Sequence, residues 1–471
     1  MSSPRCDAGV VGLGVMGGGI ARNLASRGYR VAIHSRRRET AAELANAHPE
    51  AALEIAGDLH AFVQNLKAPR RILLLVPAGA AVDELLGALS NLLAKDDVVV
   101  DAGNSHFADT DRRAASARHS WRFVGMGVSG GAEGALQGPS LMPSGDARAW
   151  PQLRAMCEAI AAPSDRGRCV AWCGNGGAGH FVKMVHNGIE YADLQLLAES
   201  AHLLRRGLAL SSGGVADVLD AWNEGQLASF LVESAARVFR VPDPREPGVP
   251  LLDAVLDRAA QKGTGRWAVV AAFELGIPLP VCSAAVAARS VSADGSSRQG
   301  AGAAFGSTVG ALEGVSAKDV REALYASRVV AYAEGFTLLA AAVRERAYGT
   351  DLGEVARIWR GGCIIRARVL DSMHDTLARG EQFSLALCDP LRGEVARRLP
   401  ALRKVVSAAV SAGFPVPAFS AALAWIDTSR VSPGGAALIQ ALRDSFGAHG
   451  FERRDRPGEV VHSTWQPKRA D

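Results

Sequence analysis

Apolar positions follow two different patterns along the chain. From Gly9 to about Trp172, short β-branched runs alternate with longer amphipathic stretches, and the clearest runs are residues 9–12, 71–76 and 97–101. Strands that alternate with helices form parallel sheets, so this part is predicted to be a doubly wound α/β domain of the Rossmann type. After the turn at residues 174–177, helical apolar spacing takes over. The pattern therefore predicts an α/β domain over residues 1–178, a large all-α domain over 179–431 and a short C-terminal tail over 432–471.

Proline, glycine and serine mark two loops in the predicted helical region. We expect a surface loop at residues 241–248 and a second loop, rich in Gly and Ser, at 293–307. Two short segments of the predicted helical region recur about 140 residues later. Either an internal duplication or chance matching explains these matches. They pair Ala221-Trp222 with Ile358-Trp359, and Tyr191-Ala192-Asp193 with Tyr332-Ala333-Glu334. The tail has a helical stretch through Phe446 and then a polar end, a composition that is often disordered unless something outside its own domain holds it.

Composition narrows the class of protein. With 471 residues and 48% apolar content, the chain can bury a large core. A net charge of +4 is too small and too scattered to indicate binding to nucleic acid or to a membrane. We expect no export signal and no membrane span. The seven cysteines have neither CxxC nor zinc spacing, so reduced thiols in a cytosolic protein are expected, and no metal site.

A glycine-rich turn joins the first predicted strand to a helix. Gly12, Gly14 and Gly17 form a GxGxxG pattern. Such glycines permit a tight turn, close approach of the backbone to a pyrophosphate and close packing of the helix on the strand. Because the pattern follows a strand and precedes a helix, it predicts a dinucleotide site.

The end of the second predicted strand indicates which dinucleotide binds. An NAD site usually has an acidic residue here, which would repel a 2′-phosphate. This chain has Arg36 and Arg37, whose guanidinium groups can bind that phosphate, so NADP is favoured over NAD. Arg38 is interpreted as a solvated loop residue.

Four polar residues share one face of a predicted helix. Lys183, His186, Asn187 and Glu190 stand at i, i+3, i+4 and i+7. The opposite side carries Val182, Val185 and Ile189. A solvated surface would also give such a stripe, but Gly188 inside the helix costs roughly 1 kcal/mol against Ala. The stripe also supplies a base, an acid and two hydrogen-bonding groups, so we interpret it as a catalytic site.

At this point the chain resembles the 6-phosphogluconate dehydrogenases, a family within the β-hydroxyacid dehydrogenases. The resemblance runs from about Asp7 to Trp465 and rests on segments that follow one another in the family's order: residues 12–17, 101–105, 127–131, 138–143, 180–191, 261–265 and 446–449. It implies NADP-dependent oxidative decarboxylation of 6-phospho-D-gluconate to D-ribulose 5-phosphate and CO2, without a metal. It also implies a cytoplasmic enzyme of gluconate utilization and the pentose phosphate pathway.

The family's functional residues can be carried over by position. The resemblance implies that Lys183 is the general base, that Glu190 is the proton donor and that Asn187 is a further catalytic residue. Cofactor contacts are implied at Gly12, Gly14, Val15, Met16, Gly17, Ser35, Arg36, Arg37, Val76, Ala78 and Asn104. Substrate contacts are implied at Asn104, Ser129, Gly130, Gly131, His186, Asn187, Tyr191, Lys262, Arg289, Arg443 and His449. Arg443 and His449 resemble tail residues that enter the partner's active site, which implies a homodimer with shared sites.

Two other functions stay open on the sequence. One is a related β-hydroxyacid dehydrogenase acting on a smaller, non-phosphorylated acid, which would not need the phosphate residues. The other is a catalytically inactive, cofactor-binding subunit. Four positions also depart from the family's usual pattern: Pro77, Ala102, Ala132 and Ser445. None of them removes a proposed acid or base.

Overall fold

A parallel sheet forms the centre of the N-terminal half. The structure, a computed structural model, describes residues 5–116, 120–380 and 384–465. The strands of this sheet are β1 Ala8–Val11, β2 Val31–His34, β3 Leu53–Ile55, β4 Arg71–Leu74, β5 Val98–Asp101, β6 Arg122–Ser129 and β7 Ser140–Gly145. Their order is β3-β2-β1-β4-β5-β6-β7, with β7 antiparallel to β6 and the others parallel. The predicted Rossmann-type sheet is confirmed.

Helices cover both faces of this sheet. They are α1 Val15–Ser26, α2 Arg38–Ala47, α3 Leu59–Gln64, α4 Ala80–Leu89, α5 Phe107–Ala114, α6 Gly131–Gln137 and α7 Trp150–Ile160, and a short hairpin of β8 Pro163–Ser164 and β9 Gly167–Arg168 follows. Alternate residues of one strand enter two different cores: Val10 packs with α1 and α7, and Val11 packs with α3 and α4. Strands buried on both faces read as continuous apolar runs, which is the pattern seen in the sequence.

Helices make up the rest of the larger unit, residues 1–421. They are α8 Ala178–His202, α9 Ser212–Asn223, α10 Phe230–Arg240, α11 Leu251–Ala254, α12 Thr264–Glu274, α13 Pro280–Ala293, α14 Gly295–Phe305, α15 Ala317–Glu345, α16 Leu352–Ile358, α17 Val369–Leu377, α18 Leu391–Ser411 and α19 Pro417–Arg430, the last running into the second unit. By length and composition α15 could cross a membrane, but 83% of its most apolar window is buried inside the protein. A core helix has this burial.

One predicted loop is a helix. Residues 241–248 lie between α10 and α11 without a helix, as predicted, but α14 occupies most of residues 293–307. Its first turn is capped by Asp294, whose carboxylate accepts from the Ser297 amide at 3.0 Å. Arg298 also pairs with Asp257. The local cap and this longer-range ion pair offset the low helix propensity of the Gly and Ser residues, whose number predicts a loop.

The two longest helices make matched contacts. The Glu199 carboxylate of α8 accepts from the amides of Ala418 and Phe419, at the start of α19. The Glu334 carboxylate of α15 accepts from the amide of Val281, at the start of α13, and lies 135 positions after Glu199. Two glutamates that each bind the start of another helix, at corresponding positions of α8 and α15, favour an internal duplication. Their spacing is slightly shorter than that between Tyr191 and Tyr332.

A buried ion pair joins these two helices at their centre. Arg328 Nε of α15 donates to Asp193 Oδ1 of α8 at 2.8 Å, and both side chains are 1% exposed. Asp193 and Arg328 are also 135 positions apart, so equivalent positions of the two halves meet. The pair fixes the register of the helix that carries the polar stripe.

The second unit, residues 422–471, is organised around one buried carboxylate. It contains α20 Ala436–Gly447 and a hairpin of β10 Phe451–Arg453 and β11 Arg456–Val461. Asp444 of α20 accepts from the amides of Gly450 and Ser463, from the Trp465 indole and from His462. The expected helical stretch through Phe446 is confirmed, and the polar end forms a hairpin that the sequence did not predict.

We expect Arg328→Met to lower the free energy of unfolding by about 3 to 5 kcal/mol, because it leaves the Asp193 charge buried and unpaired. Chemical denaturation measures the loss. The control is Arg154→Met, which removes an exposed pair with Glu158 and should cost under about 1 kcal/mol. The double variant Asp193→Leu/Arg328→Met should recover most of the loss, and a single-variant loss no larger than the control would contradict this role.

Candidate active site

The glycine turn is shaped to hold a pyrophosphate. Gly12 has φ +91°, and a Cβ there would lie 2.5 Å from the Leu75 carbonyl oxygen. At Gly17 a Cβ would lie 1.8 Å from the Gly12 carbonyl oxygen, so this glycine lets α1 close on the turn. Gly14 is different, because no protein atom lies within 4 Å of the position of its Cβ. Space left open by the protein beside a helix N-terminus is what a bound dinucleotide phosphate requires.

The predicted cofactor residues gather at the carboxyl ends of the central strands. Chain order reverses between β1 and β4, and ligands of such sheets bind at this switch point. Val15 and Met16 begin α1 there, and Val15 is 73% exposed. Ser35, Arg36 and Arg37 follow β2, Val76 and Ala78 follow β4, and Asn104 follows β5. Arg36, Arg37, Ala78 and Asn104 are exposed. These residues fit a dinucleotide with a 2′-phosphate.

Helix α8 crosses the sheet in close contact with β6. A Cβ at Gly127 would lie only 2.5 Å from Lys183 Cβ, and one at Gly179 would lie 2.0 Å from the Met142 carbonyl oxygen. On the other side of the helix, Val185 and Ile189 pack against Gly335 of α15. The polar stripe is therefore held between the sheet and the helices, which excludes the solvated-surface interpretation.

Hydrogen bonds connect the stripe residues to one another and to the sheet. His186 Nε2 lies 3.0 Å from Ser129 Oγ, at the end of β6. Its Nδ1 lies 3.0 Å from Asn187 Oδ1 and 3.3 Å from Lys183 Nζ. A neutral imidazole has one donor and one acceptor nitrogen. Asn187 Oδ1 can only accept, so in one tautomer Nδ1 donates to Asn187 and Nε2 accepts from Ser129. In the other tautomer Nδ1 accepts from Lys183 and Nε2 donates to Ser129.

Burial displaces the pKa values of the stripe. It lowers the pKa of the Lys183 ammonium, and the negative charge of Glu190 opposes this. It raises the pKa of the Glu190 carboxyl, and the charges of Lys183 and Arg289 oppose this. It holds the pKa of His186 well below its ordinary value, so His186 is neutral and its 3.8 Å contact with Glu190 is not an ion pair. A neutral amine and a protonated carboxyl are thus favoured on one helix face.

Several predicted substrate residues surround this face. Ser129 is buried and is followed by Gly130 and Gly131, which have φ +114° and +63° and lead into α6. The Arg289 guanidinium stacks 3.6 Å from the ring centre of Tyr191. With the contact of Ser129 and His186, this stacking brings the end of β6, the middle of α8 and α13 to one place.

The remaining predicted substrate residues are exposed. Lys262 precedes Gly263, which has φ +88° and lies directly before α12. Arg443 and His449 belong to the second unit. There Arg443 Nη1 donates to Gln440 Oε1 at 3.1 Å, and the His449 ring stands at 82° to that of Phe446. Exposed basic groups of this kind are available to an anion.

Sequence reasoning missed one member of the hydrogen-bond chain. Asn187 Nδ2 donates to Thr264 Oγ1 at 3.0 Å, so Thr264 orients the Asn187 amide. The available signal was the position of Thr264 two residues after Lys262 and directly after Gly263, at the start of a helix. A polar residue there can bond both the helix backbone and a neighbouring side chain.

Comparison with known proteins agrees with this geometry. Residues 7–174 match the family model described as the NAD binding domain of 6-phosphogluconate dehydrogenase, and residues 179–465 match that of the 6-phosphogluconate dehydrogenase C-terminal domain. The decarboxylating 6-phosphogluconate dehydrogenase of Lactococcus lactis is 42% identical over 98% of this chain and 99% of that protein. The NADP(+)-dependent decarboxylating enzyme of Bacillus subtilis is also 42% identical, over 97% of this chain and 98% of its own.

A solved structure covers almost the whole chain. The 6-phosphogluconate dehydrogenase of Plasmodium falciparum, studied without ligands, with NADP+ and with 6-phosphogluconate, is 35% identical and superposes with a TM-score of 0.93 over 98% of this chain and 100% of that one. Matches of this extent in sequence and in fold agree with the resemblance noted in the motifs. The chain belongs to the 6-phosphogluconate dehydrogenase family.

Proposed function

We propose that this chain catalyses the oxidative decarboxylation of 6-phospho-D-gluconate to D-ribulose 5-phosphate and CO2, with reduction of NADP. The observation that carries the proposal is the pair of Lys183 and Glu190 on one partly buried face of α8, which packs on the sheet that carries the glycine turn. Burial favours the neutral amine and the protonated carboxyl, which are the forms that the two proton transfers need. The full-length relatives carry the same activity in their names.

The first step is oxidation at carbon 3. Lys183, neutral, takes the proton of the 3-hydroxyl as a hydride leaves carbon 3, and NADP held at the glycine turn would supply the hydride acceptor. The resulting ammonium of Lys183 donates to the new carbonyl oxygen, with His186 Nδ1 and Asn187 in contact around it. A donor aimed at this oxygen stabilises the enolate that forms as the carboxylate leaves as CO2. The ketone accepts those electrons, so the step uses no metal.

The second step is protonation of the enediol. The ammonium of Lys183 first passes its proton to the enolate oxygen. Glu190, whose carboxyl pKa is raised by burial, then donates a proton to carbon 1, and the enediol hydroxyl returns its proton to Lys183. This gives the ketone of ribulose 5-phosphate, and transfer of the returned proton from Lys183 to Glu190 restores the neutral amine and the protonated carboxyl. Glu190 is one turn from His186 and two turns from Lys183, so both ends of the enediol are within reach of one helix face.

Substrate groups are divided among the surrounding residues. Ser129, Gly130 and Gly131 hold the carboxylate region, with Asn104 between substrate and nicotinamide. His186, Asn187 and Tyr191 bond the polyol. Lys262 and Arg289 hold the phosphate, and the stacking of Arg289 on Tyr191 fixes its guanidinium close to the hydroxyl-binding residues. A smaller, non-phosphorylated acid would leave these two cations without a ligand.

The active unit is proposed to be a cytoplasmic homodimer in which Arg443 and His449 complete the partner's phosphate site. Large apolar side chains are exposed in the helical part of the larger unit: Val255, Leu256, Phe273, Val291 and Phe305. Others are exposed along α20: Leu438, Ile439, Leu442 and Phe446. Exposed apolar surface of this size supports association between subunits.

The activity is tested by mixing the pure protein with 6-phosphogluconate and NADP and following absorbance of the reduced nicotinamide. We expect Lys183→Met to lower kcat by about a thousandfold and Glu190→Gln by about a hundredfold, because each removes one positioned proton transfer. Gluconate should give no measurable rate, since it lacks the phosphate. A rate with gluconate equal to that with 6-phosphogluconate would favour the smaller-acid enzyme.

The chain offers a matched control for the lysine variant. Lys318 stands 16 positions before Glu334, as Lys183 stands 16 positions before Glu199, but Lys318 is exposed. Lys318→Met should therefore keep full activity. Equal loss in both lysine variants, or no activity in the unaltered protein, would contradict the proposal.

The shared site is tested by mixing two inactive variants, Lys183→Met and Arg443→Ala. Hybrid dimers would contain one pocket with both residues intact, so activity should rise after subunit exchange to about a quarter of the unaltered level. The estimate assumes random assortment into closed dimers. No recovery, with exchange verified by mass labelling, would show that the tail does not enter the partner's site.

A further inference from the structure

A buried arginine lies beneath two turns of the cofactor cleft. Arg113 of α5 has a side chain that is 1% exposed, yet each of its nitrogens has an acceptor. Nε and Nη2 donate to the Asp83 carboxylate of α4 at 2.9 and 3.0 Å, and Nη2 also donates to the Gly79 carbonyl oxygen at 3.0 Å. Nη1 donates to Asp101 Oδ2 at 3.2 Å and to Ser105 Oγ at 3.4 Å. All five donors of the guanidinium are thereby used.

The first of these turns follows β5 and presents Asn104. Asp101, at the end of β5, is fully buried. Its Oδ1 accepts from the Gly103 amide at 3.1 Å, and its Oδ2 accepts from Ser105 Oγ at 2.7 Å. The carboxylate therefore closes the turn from both sides and leaves Asn104 exposed at its tip. Arg113 supplies the charge that makes burial of this carboxylate possible.

The second turn follows β4 and contains Val76 and Ala78. It ends at Gly79, whose φ of +90° is left-handed and whose carbonyl oxygen is bound by Arg113. The two turns touch, because a Cβ at Gly103 would lie 3.1 Å from the Val76 carbonyl oxygen. One planar guanidinium therefore spans both turns, and a shift of either turn breaks bonds to the other.

We propose that Arg113 is a positioning residue that holds the Val76–Gly79 turn and the Asn104 turn at the separation required by bound NADP. The inference rests on the proposed function, since NADP is taken to lie across these two turns. Arginine is needed because a lysine ammonium has three donors on a point charge and cannot bind both turns and Asp83 together. Arg113 touches no reacting atom and acts through Asn104 and through the backbone of the second turn.

The same two strands carry a matched ion pair at their opposite ends. Arg70 precedes β4, and its Nη1 donates to Asp97 Oδ2 at 2.9 Å, directly before β5. Asp97 also accepts from the amides of Arg70 and Ala94. This pair joins β4 to β5 as the Arg113 pair does, but it is at the amino edge of the sheet, away from the cleft. Arg70→Lys is therefore a control for loss of stability alone.

The experiment compares Arg113→Lys with Arg70→Lys in the full-length protein. Calorimetry gives the Kd for NADP and for 6-phosphogluconate, thermal unfolding gives Tm, and substrate deuterated at carbon 3 gives the kinetic isotope effect. We expect Arg113→Lys to raise the NADP Kd about tenfold, which is about 1.4 kcal/mol, and the 6-phosphogluconate Kd less than about twofold. The isotope effect should rise, since hydride transfer becomes slower relative to the other steps. Arg70→Lys should lower Tm and leave both binding constants and the isotope effect unchanged.

The inference is overturned if Arg113→Lys changes only Tm, or if it weakens both ligands equally. Should Arg113→Lys not fold, Asp83→Asn supplies the same comparison, because Asp83 is 39% exposed and holds the guanidinium from one side. Asp83→Asn should also raise the NADP Kd, but by a smaller factor than Arg113→Lys. An unchanged Kd would equally overturn the inference. Failure of the proposed function is distinguishable, since it would appear as no turnover of 6-phosphogluconate by the unaltered protein, while NADP binding would still decide the role of Arg113.

Discussion

The site depends on the close approach of α8 to β6. Lys183 Cβ occupies space that only a glycine at position 127 leaves free, and Gly179 lies almost against the backbone of β7. This approach puts the amine of Lys183 at the edge of the sheet where Ser129 ends β6 and where the cofactor turns end. A side chain at position 127 would displace the helix, and with it both the base and the acid, from the cleft.

The close packing of α8 also shifts the pKa values of its polar stripe. A helix held between a sheet and other helices removes water from its polar stripe, which disfavours the charged forms of Lys183 and Glu190. Burying these polar side chains without hydrogen-bond partners would destabilise the fold. His186 provides such partners through its contacts with Lys183, Asn187 and Ser129. Stability and catalysis therefore use the same contacts. The buried Asp193–Arg328 pair holds the middle of the helix in register.

Local sequence patterns predicted much of the fold and of the candidate site. Strand runs, the glycine turn and the stripe from Lys183 to Glu190 depend on neighbours in the chain, so the sequence predicted the sheet and the helix face. The prediction of a loop at residues 293–307 was wrong, because the cap at Asp294 and the Arg298–Asp257 ion pair stabilise a helix there despite its glycine content. Contacts such as Arg113 with Gly79 and Asp101 join residues from separate turns, and no periodicity reports them. The roles carried over from the family, including those of the tail residues, stay predictions.

The most direct measurement is the titration of Lys183 itself. The chain has seven lysines, so ¹⁵N-lysine NMR resolves their side chains, and Lys183→Met assigns the signal. Burial lowers the pKa of Lys183 while Glu190 raises it. We therefore expect Lys183 to lose its proton at a lower pH than the exposed lysines, and at a still lower pH in Glu190→Gln. A Lys183 signal that titrates together with the exposed lysines, and that Glu190→Gln leaves unmoved, would contradict it.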